Sequence, residues 1–261
     1  MRTEHIFGGV IALFFLAFAC LWMLAGYCPG CGPHWLQALV LVISACSVLA
    51  GLSALSCTLW RTQRLWDQCR GKVVAHPPLL RQVCQRLGIP LQQVICTDQP
   101  ALFSFCIGLL QPQIVVSSAL LDRVSNRELT AILAHENYHQ RQRDPLRLLV
   151  VILARVMLYP LPAIHDFHRS FQALIEIEAD EMAVARSGRP ALAAALCKLS
   201  ACAGSEFAAN LPTAVASFSA QASRLDYLLD PHEMPTLPLS AKRLALSLAP
   251  FLLLCATALF T

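Results

Sequence analysis

Two long stretches of the chain carry no charged side chain, Ile6 to Tyr27 and Trp35 to Trp60. Each exceeds the roughly 20 residues that a bilayer-crossing helix needs, so transmembrane helices are predicted over about 6–27 and 35–60. Tyr27, Trp35 and Trp60 stand at their ends, where amphipathic rings favour the headgroup layer. A third apolar run, Leu244 to Phe260, closes the chain and predicts a C-terminal span over 244–261. A fourth, Leu146 to Pro162, contains Arg147 and Arg155 and is interrupted by Pro160 and Pro162. A charge at mid-span is costly and prolines break the last turn, so this segment reads as a buried or membrane-apposed helix that does not cross.

Basic residues set the orientation. Arg61, Arg64, Arg70 and Lys72 follow the second span, whereas the loop from Cys28 to His34 has none, which places the section after Trp60 in the cytoplasm. Lys242 and Arg243 precede the third span and give the same answer, leaving the C-terminus outside. The division expected is therefore two spans with a short outer loop over 1–60, a cytoplasmic domain over 61–243 that includes the non-crossing helix 146–162, and the last span. Ala17-Phe18-Ala19 has the small-x-small form of a processing site, so the alternative for the first span is a cleaved signal. In either case the second span returns the chain to the cytoplasm.

Composition agrees with a multi-pass membrane protein. Of 261 residues 56% are hydrophobic and 14% charged, and the mean hydropathy is +0.56, which excludes an ordinary water-soluble fold. The net charge of +4 comes from scattered basic residues that membrane topology partly explains, so no direct nucleic-acid binding is expected. Most of the 12 cysteines read as buried small apolar residues. Cys28 and Cys31 differ: they form a Cys-Pro-Gly-Cys in the outer loop beside His34, where oxidation is permitted. The plain reading is a loop disulfide and the sharper one a redox or metal sensor. No internal repeat is present, and Pro231 to Pro238 is the one soft segment.

The candidate chemistry lies in the cytoplasmic section. Ser125-Asn126-Arg127-Glu128 is a capping box with Val124 and Leu129 as its hydrophobic staple, so a helix starts there. About three turns in stands His135-Glu136-Asn137-Tyr138-His139, a His-Glu-x-x-His motif. Residues four apart lie one above the other on a helix face, so both imidazoles can bind one metal, with Glu136 beside it as a general base for an attacking water. Two histidines, one carboxylate and an open fourth position are the donor set of a hydrolytic zinc site, so one Zn²⁺ is expected. Carboxylates for the third ligand come from Glu176-Ile177-Glu178-Ala179-Asp180, on a second helix ended by Gly188. Glu176 and Asp180 share a face and Glu178 points away; periodicity alone does not choose between Glu176 and Glu178, and the one not at the metal reads as a solvated charge. Asp180 is short for the metal and better placed to orient a metal-binding histidine. If His135 and Glu176 meet at one metal, the chain between them crosses the membrane an even number of times, which excludes a single crossing by Leu146 to Pro162.

With these residues in place, the sequence resembles the bacterial integral-membrane metallopeptidases typified by the β-lactam and methicillin sensor-transducers. More distantly it is similar to the heat-shock and prenyl-protein membrane endopeptidases. The resemblance is carried by Phe105-Cys106-Ile107-Gly108, Pro112 to Ser117, Glu128-Leu129, Ala134 to His139, Arg143-Asp144 and Glu176 to Ala183. It implies Glu176 as the third ligand and a gluzincin-like α+β fold, so the fold class expected is a mainly α membrane protein of about three spans carrying a cytoplasmic zinc metallopeptidase domain. In such folds the strand before the metal helix, here Gln113, Ile114, Val115, Val116 and Ser117, can pair with an extended substrate backbone; read without the resemblance it is a buried strand. The chain ends at Thr261 with no room for an outer antibiotic-binding domain, so antibiotic sensing is not expected. Arg224-Leu225-Asp226 has a weak likeness to a family arginine position and otherwise reads as surface.

The function expected is a membrane-embedded zinc endopeptidase cutting a protein substrate, a transcriptional repressor or another membrane protein, on the cytoplasmic side. The alternatives are a non-catalytic metal-binding receptor or scaffold, and a quality-control protease. Substrate, stimulus and oligomeric state are not legible.

Overall fold

The computed structural model describes residues 3–26, 34–200, 216–217 and 240–249. The Cys28 and Cys31 loop, Arg224 to Asp226, the soft segment and the end of the C-terminal run lie outside the described residues. The chain forms two compact units, one of residues 1–57, 149–174 and 237–261, the other of residues 58–148 and 175–236.

The first unit is helical. Helix α1, Thr3–Gly26, buries Ile6, Val10, Leu13 and Ala17, a stripe at the three-to-four spacing of one helix face. Helix α2, His34–Arg70, is the one helix among the described residues long and apolar enough to cross a membrane; it qualifies over Ala38–Arg70, and the apolar window is only 6% buried. Its large side chains, Leu41, Leu49 and Leu52 among them, are more than half exposed, as expected of residues whose solvent is lipid. The expected span 35–60 falls within the longer α2, the expected 6–27 coincides with α1 as far as Gly26, and of the expected 244–261 span a helix is described over 241–249.

The apolar segment 146–162 forms helix α6, Asp144–Met157, followed by a turn at 158–161 and helix α7, Pro162–Ser187. Proline at the first position of α7 sits where its missing N–H is not needed. Residues 149–174 group with the apolar helices: Phe171 packs on Phe7 with ring centroids 5.9 Å apart, and a Cβ on Gly51 of α2 would lie 2.8 Å from Cγ of Met157. The same unit holds the helix over 241–249 by polar contacts. Asp166, 2% exposed, accepts from Arg243 at 2.7 Å and from the Ser240 N–H, and Ser247 Oγ accepts from the Ala163 N–H at 2.9 Å. Arg243, read from sequence as a topology signal, therefore also has a buried anionic partner.

The second unit is built on a four-stranded sheet of order β1-β3-β2-β4, from strands β1 Val94–Thr97, β2 Ser104–Ile107, β3 Gln113–Ser117 and β4 Ala216–Ser217. β1 runs parallel to β3, and β2 pairs antiparallel with both β3 and β4. Ile114 and Val116 face a core formed with helix α3 (Pro78–Leu87), α5 (Asn126–Gln142) and α8 (Arg189–Ser200), through Leu80, Val83, Leu129, Ile132, Leu192 and Leu196. Val115, Phe105 and Ile107 face the other way, onto Leu65 and Cys69 at the end of α2.

This arrangement corrects the expectation for residues 113–117. β3 is flanked by β1 on one side and β2 on the other and is buried from Ile114 to Ser117, so its backbone has no free edge for a substrate. The outer side of β1 is also covered, since the Val74 N–H donates to Cys96 O and the Asp98 N–H to Lys72 O. The open edge among the described strands belongs to β4.

Candidate metal centre

Helix α5 begins as the capping box requires. Ser125 Oγ accepts from the Glu128 N–H at 3.3 Å while Glu128 Oε2 accepts from the Ser125 N–H at 2.6 Å, and Lys198 of α8 donates to the same carboxylate at 2.8 Å. Burial would raise the Glu128 pKa; the bonds from Lys198 and Ser125 outweigh it and hold the carboxyl below its ordinary value. Leu129, Ile132 and Leu133 are fully buried, which fixes the rotation of α5 and carries His135, Glu136 and His139 into the interior at zero exposure. At the other end Gln140 Nε2 donates to Pro112 O at 2.8 Å, tying α5 to the β2–β3 turn. In that turn Gly108 has φ +107 and a Cβ would stand 2.9 Å from Gln111 O, so only glycine fits.

The two histidines present the same ring atom to each other. His135 Nδ1 lies 2.9 Å from Asp180 Oδ1, and His139 Nδ1 lies 2.9 Å from Asp144 Oδ2. Ionised carboxylates only accept, so each Nδ1 carries the proton and each Nε2 offers a lone pair. The two Nε2 atoms are 3.0 Å apart, and Glu176 brings Oε2 to 3.6 Å from that of His135 and Oε1 to 3.8 Å from that of His139. One ligand atom from each of the three residues falls within 4.8 Å of the others, the geometry of a cation site. Four donors at about 2.0–2.1 Å from a tetrahedral ion stand roughly 3.3 Å from one another, so the three present fit such an ion and leave a fourth position open. Glu136 is wholly buried beside them, near enough that its charge acts on His139. Burial alone would lower the His139 pKa, but the Asp144 hydrogen bond and the charges of Glu176, Asp144 and Glu136 outweigh it and raise it above the ordinary imidazole value.

Of the residues singled out from sequence, the structure brings together His135, Glu136, His139, Glu176 and Asp180, and leaves 113–117 outside. Glu178 is not a solvated charge: Tyr138 donates its hydroxyl to Glu178 Oε2 at 2.6 Å. Burial, followed by this bond and the charges of Glu178 and Asp144, raises the Tyr138 pKa well above that of a free phenol, so it stays a donor. Periodicity left Glu176 and Glu178 open; it is Glu176 that lies with the two imidazoles, while Glu178 pairs with Tyr138.

The sequence reading missed Asp144 as a partner of the site. It lies in the next helix and reaches back because Arg143 adopts a left-handed conformation, φ 53, which ends α5 and restarts the chain as α6 at once. Asp144 is fully buried, and its second oxygen accepts from Arg147 at 3.0 Å. The signal was present as an Asp followed three residues later by Arg at the start of a helix.

The comparisons with known proteins bear on this arrangement. Residues 33–228, well over half of the chain, match the family described as BlaR1 peptidase M56. The chain belongs to this family. The match takes in every member of the histidine and carboxylate cluster as well as the whole of α2, so the M56 identity covers the site and the candidate membrane helix together. A second similarity is to the "Protease HtpX homolog" of Polynucleobacter necessarius subsp. necessarius (strain STIR1), 30% identical over 95 residues. That alignment takes in 36% of this M56 chain and spans about a third, 32%, of the relative's length.

Proposed function

We propose that this M56 protein is a multi-pass zinc endopeptidase that cleaves a protein substrate at the cytoplasmic face of a bacterial membrane. The observation that supports it best is the convergence of His135 Nε2, His139 Nε2 and Glu176 carboxylate oxygens at one point, with both outward ring nitrogens held by buried carboxylates. His135, His139 and Glu176 would hold the ion; Zn²⁺ bound there supplies Lewis acidity toward a peptide carbonyl and toward water. The chain's own residues do the rest. Asp180 and Asp144 fix the two imidazole planes, and Arg147 pairs with the second oxygen of Asp144. Glu136 takes a proton on a carboxylate oxygen from the attacking water and passes it to the leaving amine.

The cytoplasmic orientation rests on Arg61, Arg64, Arg70 and Lys72 following the α2 span. A regulatory substrate such as a transcriptional repressor is the reading we favour, on the strength of the match to the BlaR1 family.

Metal content and proteolysis of the detergent-solubilised full chain test the assignment, with an unfolded protein and a candidate repressor as substrates. Glu176→Ala is expected to lose both zinc and cleavage. Zinc retained at the wild-type level in Glu176→Ala would move the third ligand elsewhere, and zinc bound with no cleavage by wild type would favour a receptor or scaffold.

A further inference from the structure

Helix α2 does not stop where its apolar part ends. Trp35 to Trp60 carries no charge and is about 39 Å long at ~1.5 Å per residue, more than the roughly 30 Å of a hydrocarbon core. Excess length of this kind is taken up by tilt, which leans the continuation of the helix toward the headgroup plane. That continuation is two-sided. Leu65 and Cys69 are buried against Phe103, Phe105 and Ile107 of the sheet unit. The opposite face is exposed and holds Trp60, Arg64 and Arg70; Arg61, also exposed, stands one turn before Leu65 and beside Arg64, Trp66 lies at the flank, and Lys72 is just past the helix end.

Over these thirteen residues four cations face a single carboxylate, Asp67, which accepts from Gln63 Nε2. Among the described residues no carboxylate pairs with Arg61, Arg64, Arg70 or Lys72. Two of the guanidinium groups are instead stacked on indoles, Arg64 at 5.5 Å from the Trp60 ring centre and Arg70 at 4.7 Å from that of Trp66. Stacking holds a guanidinium flat and leaves its N–H fork free for an anion. An indole at the end of an apolar helix, with a stacked arginine one turn on, matches the boundary between acyl chain and phosphate.

We infer that the exposed face of residues 60–72 is a docking surface for anionic phospholipid, with Arg61 and Arg64 taking headgroup phosphates against Trp60, and Arg70 and Lys72 extending the positive field. Through Leu65 and Cys69 the same helix turn grips the sheet, so lipid binding sets the height at which the sheet unit rides on the leaflet.

The test uses the purified full chain in detergent micelles titrated with brominated phosphatidylglycerol or brominated phosphatidylcholine, read as tryptophan quenching. Neither metal nor cleavage enters this readout. Wild type should prefer phosphatidylglycerol, and the preference should weaken with salt. Arg61→Gln/Arg64→Gln should lose about five-fold per cation, roughly twenty-five-fold together. Arg61→Lys/Arg64→Lys should keep most of the preference, and Arg127→Gln/Arg189→Gln, the same charge change at exposed positions elsewhere, should keep all of it. Equal quenching of wild type by the two lipids, or an unchanged preference in the glutamine variant, overturns the proposal. So does wild-type binding of soluble polyglutamate, in place of lipid, that depends on Arg61 and Arg64; the surface would then be a protein dock.

Discussion

The two histidines are supported in different ways. His139 leans on Asp144, five residues later, through one left-handed residue and the first turn of the next helix, whereas His135 leans on Asp180, 45 residues away on α7. The first support is local and is assembled whenever α5 and α6 form. The second exists only when α7 docks on α5, and that docking is the event that also delivers Glu176. One ligand is therefore oriented by the chain's local course and the other by its tertiary packing, so metal affinity reports on both.

Breaking the local support should have the largest effect. Asp144→Asn removes the anion from both His139 and Arg147 in a buried setting, and is expected to cost about 3 kcal/mol of stability and roughly 10–100-fold in zinc affinity, measured by denaturant unfolding and by competition with a chelator. Asp180→Asn should lose a similar 10–100-fold in affinity but only about 1–2 kcal/mol of stability, because the amide oxygen can still accept from His135 and the bond is weakened, not lost. If the supports are independent, the double variant shows additive losses; a clear departure from additivity places them in one coupled network.

Acidification sharpens the same contrast. In the zinc-free protein the raised pKa of His139 keeps imidazolium, which cannot bind metal, to a higher pH than in an ordinary histidine, so protons compete with zinc at this ligand earlier as pH falls. Asp144→Asn removes the hydrogen bond that raises it, so the His139 ring of the zinc-free protein should titrate at lower pH. An NMR titration of the zinc-free protein reads the shift; an unmoved His139 midpoint would show that Asp144 does not act on His139.

A smaller effect is expected at the clasp between α5 and α7. Tyr138→Phe removes the donor to Glu178 and should cost about 1.5 kcal/mol, the range of a hydrogen bond to a charged group, with a modest loss of zinc affinity. The smallest is at the helix start, where Ser125→Ala should cost about 1 kcal/mol and leave zinc affinity unchanged. Thermal unfolding of the zinc-free protein separates the two.

Much of the site was legible because helices repeat a short period. The capping box fixed the start of α5, the spacing of His135 and His139 fixed a shared face, and Glu176 and Asp180 lie on one side of α7. What periodicity could not carry was long-range pairing. Ile114-Val115-Val116 is apolar on both faces, and such a run marks a buried strand without saying which neighbours it has; its interior place depends on β1 and β2, and the pattern holds no trace of that. Glu178 was misread for the same reason, since its partner Tyr138 is 40 residues away. Asp144 was missed because the left-handed turn that returns it to His139 occurs at an arginine, where no glycine or asparagine marks it.

The central claim is that Glu136 performs the proton transfer at a metal held by other residues. Zinc content and cleavage of an unfolded protein by Glu136→Gln, side by side with wild type, test it most directly: the account predicts zinc at the wild-type level with cleavage lost, and cleavage persisting in Glu136→Gln would contradict it.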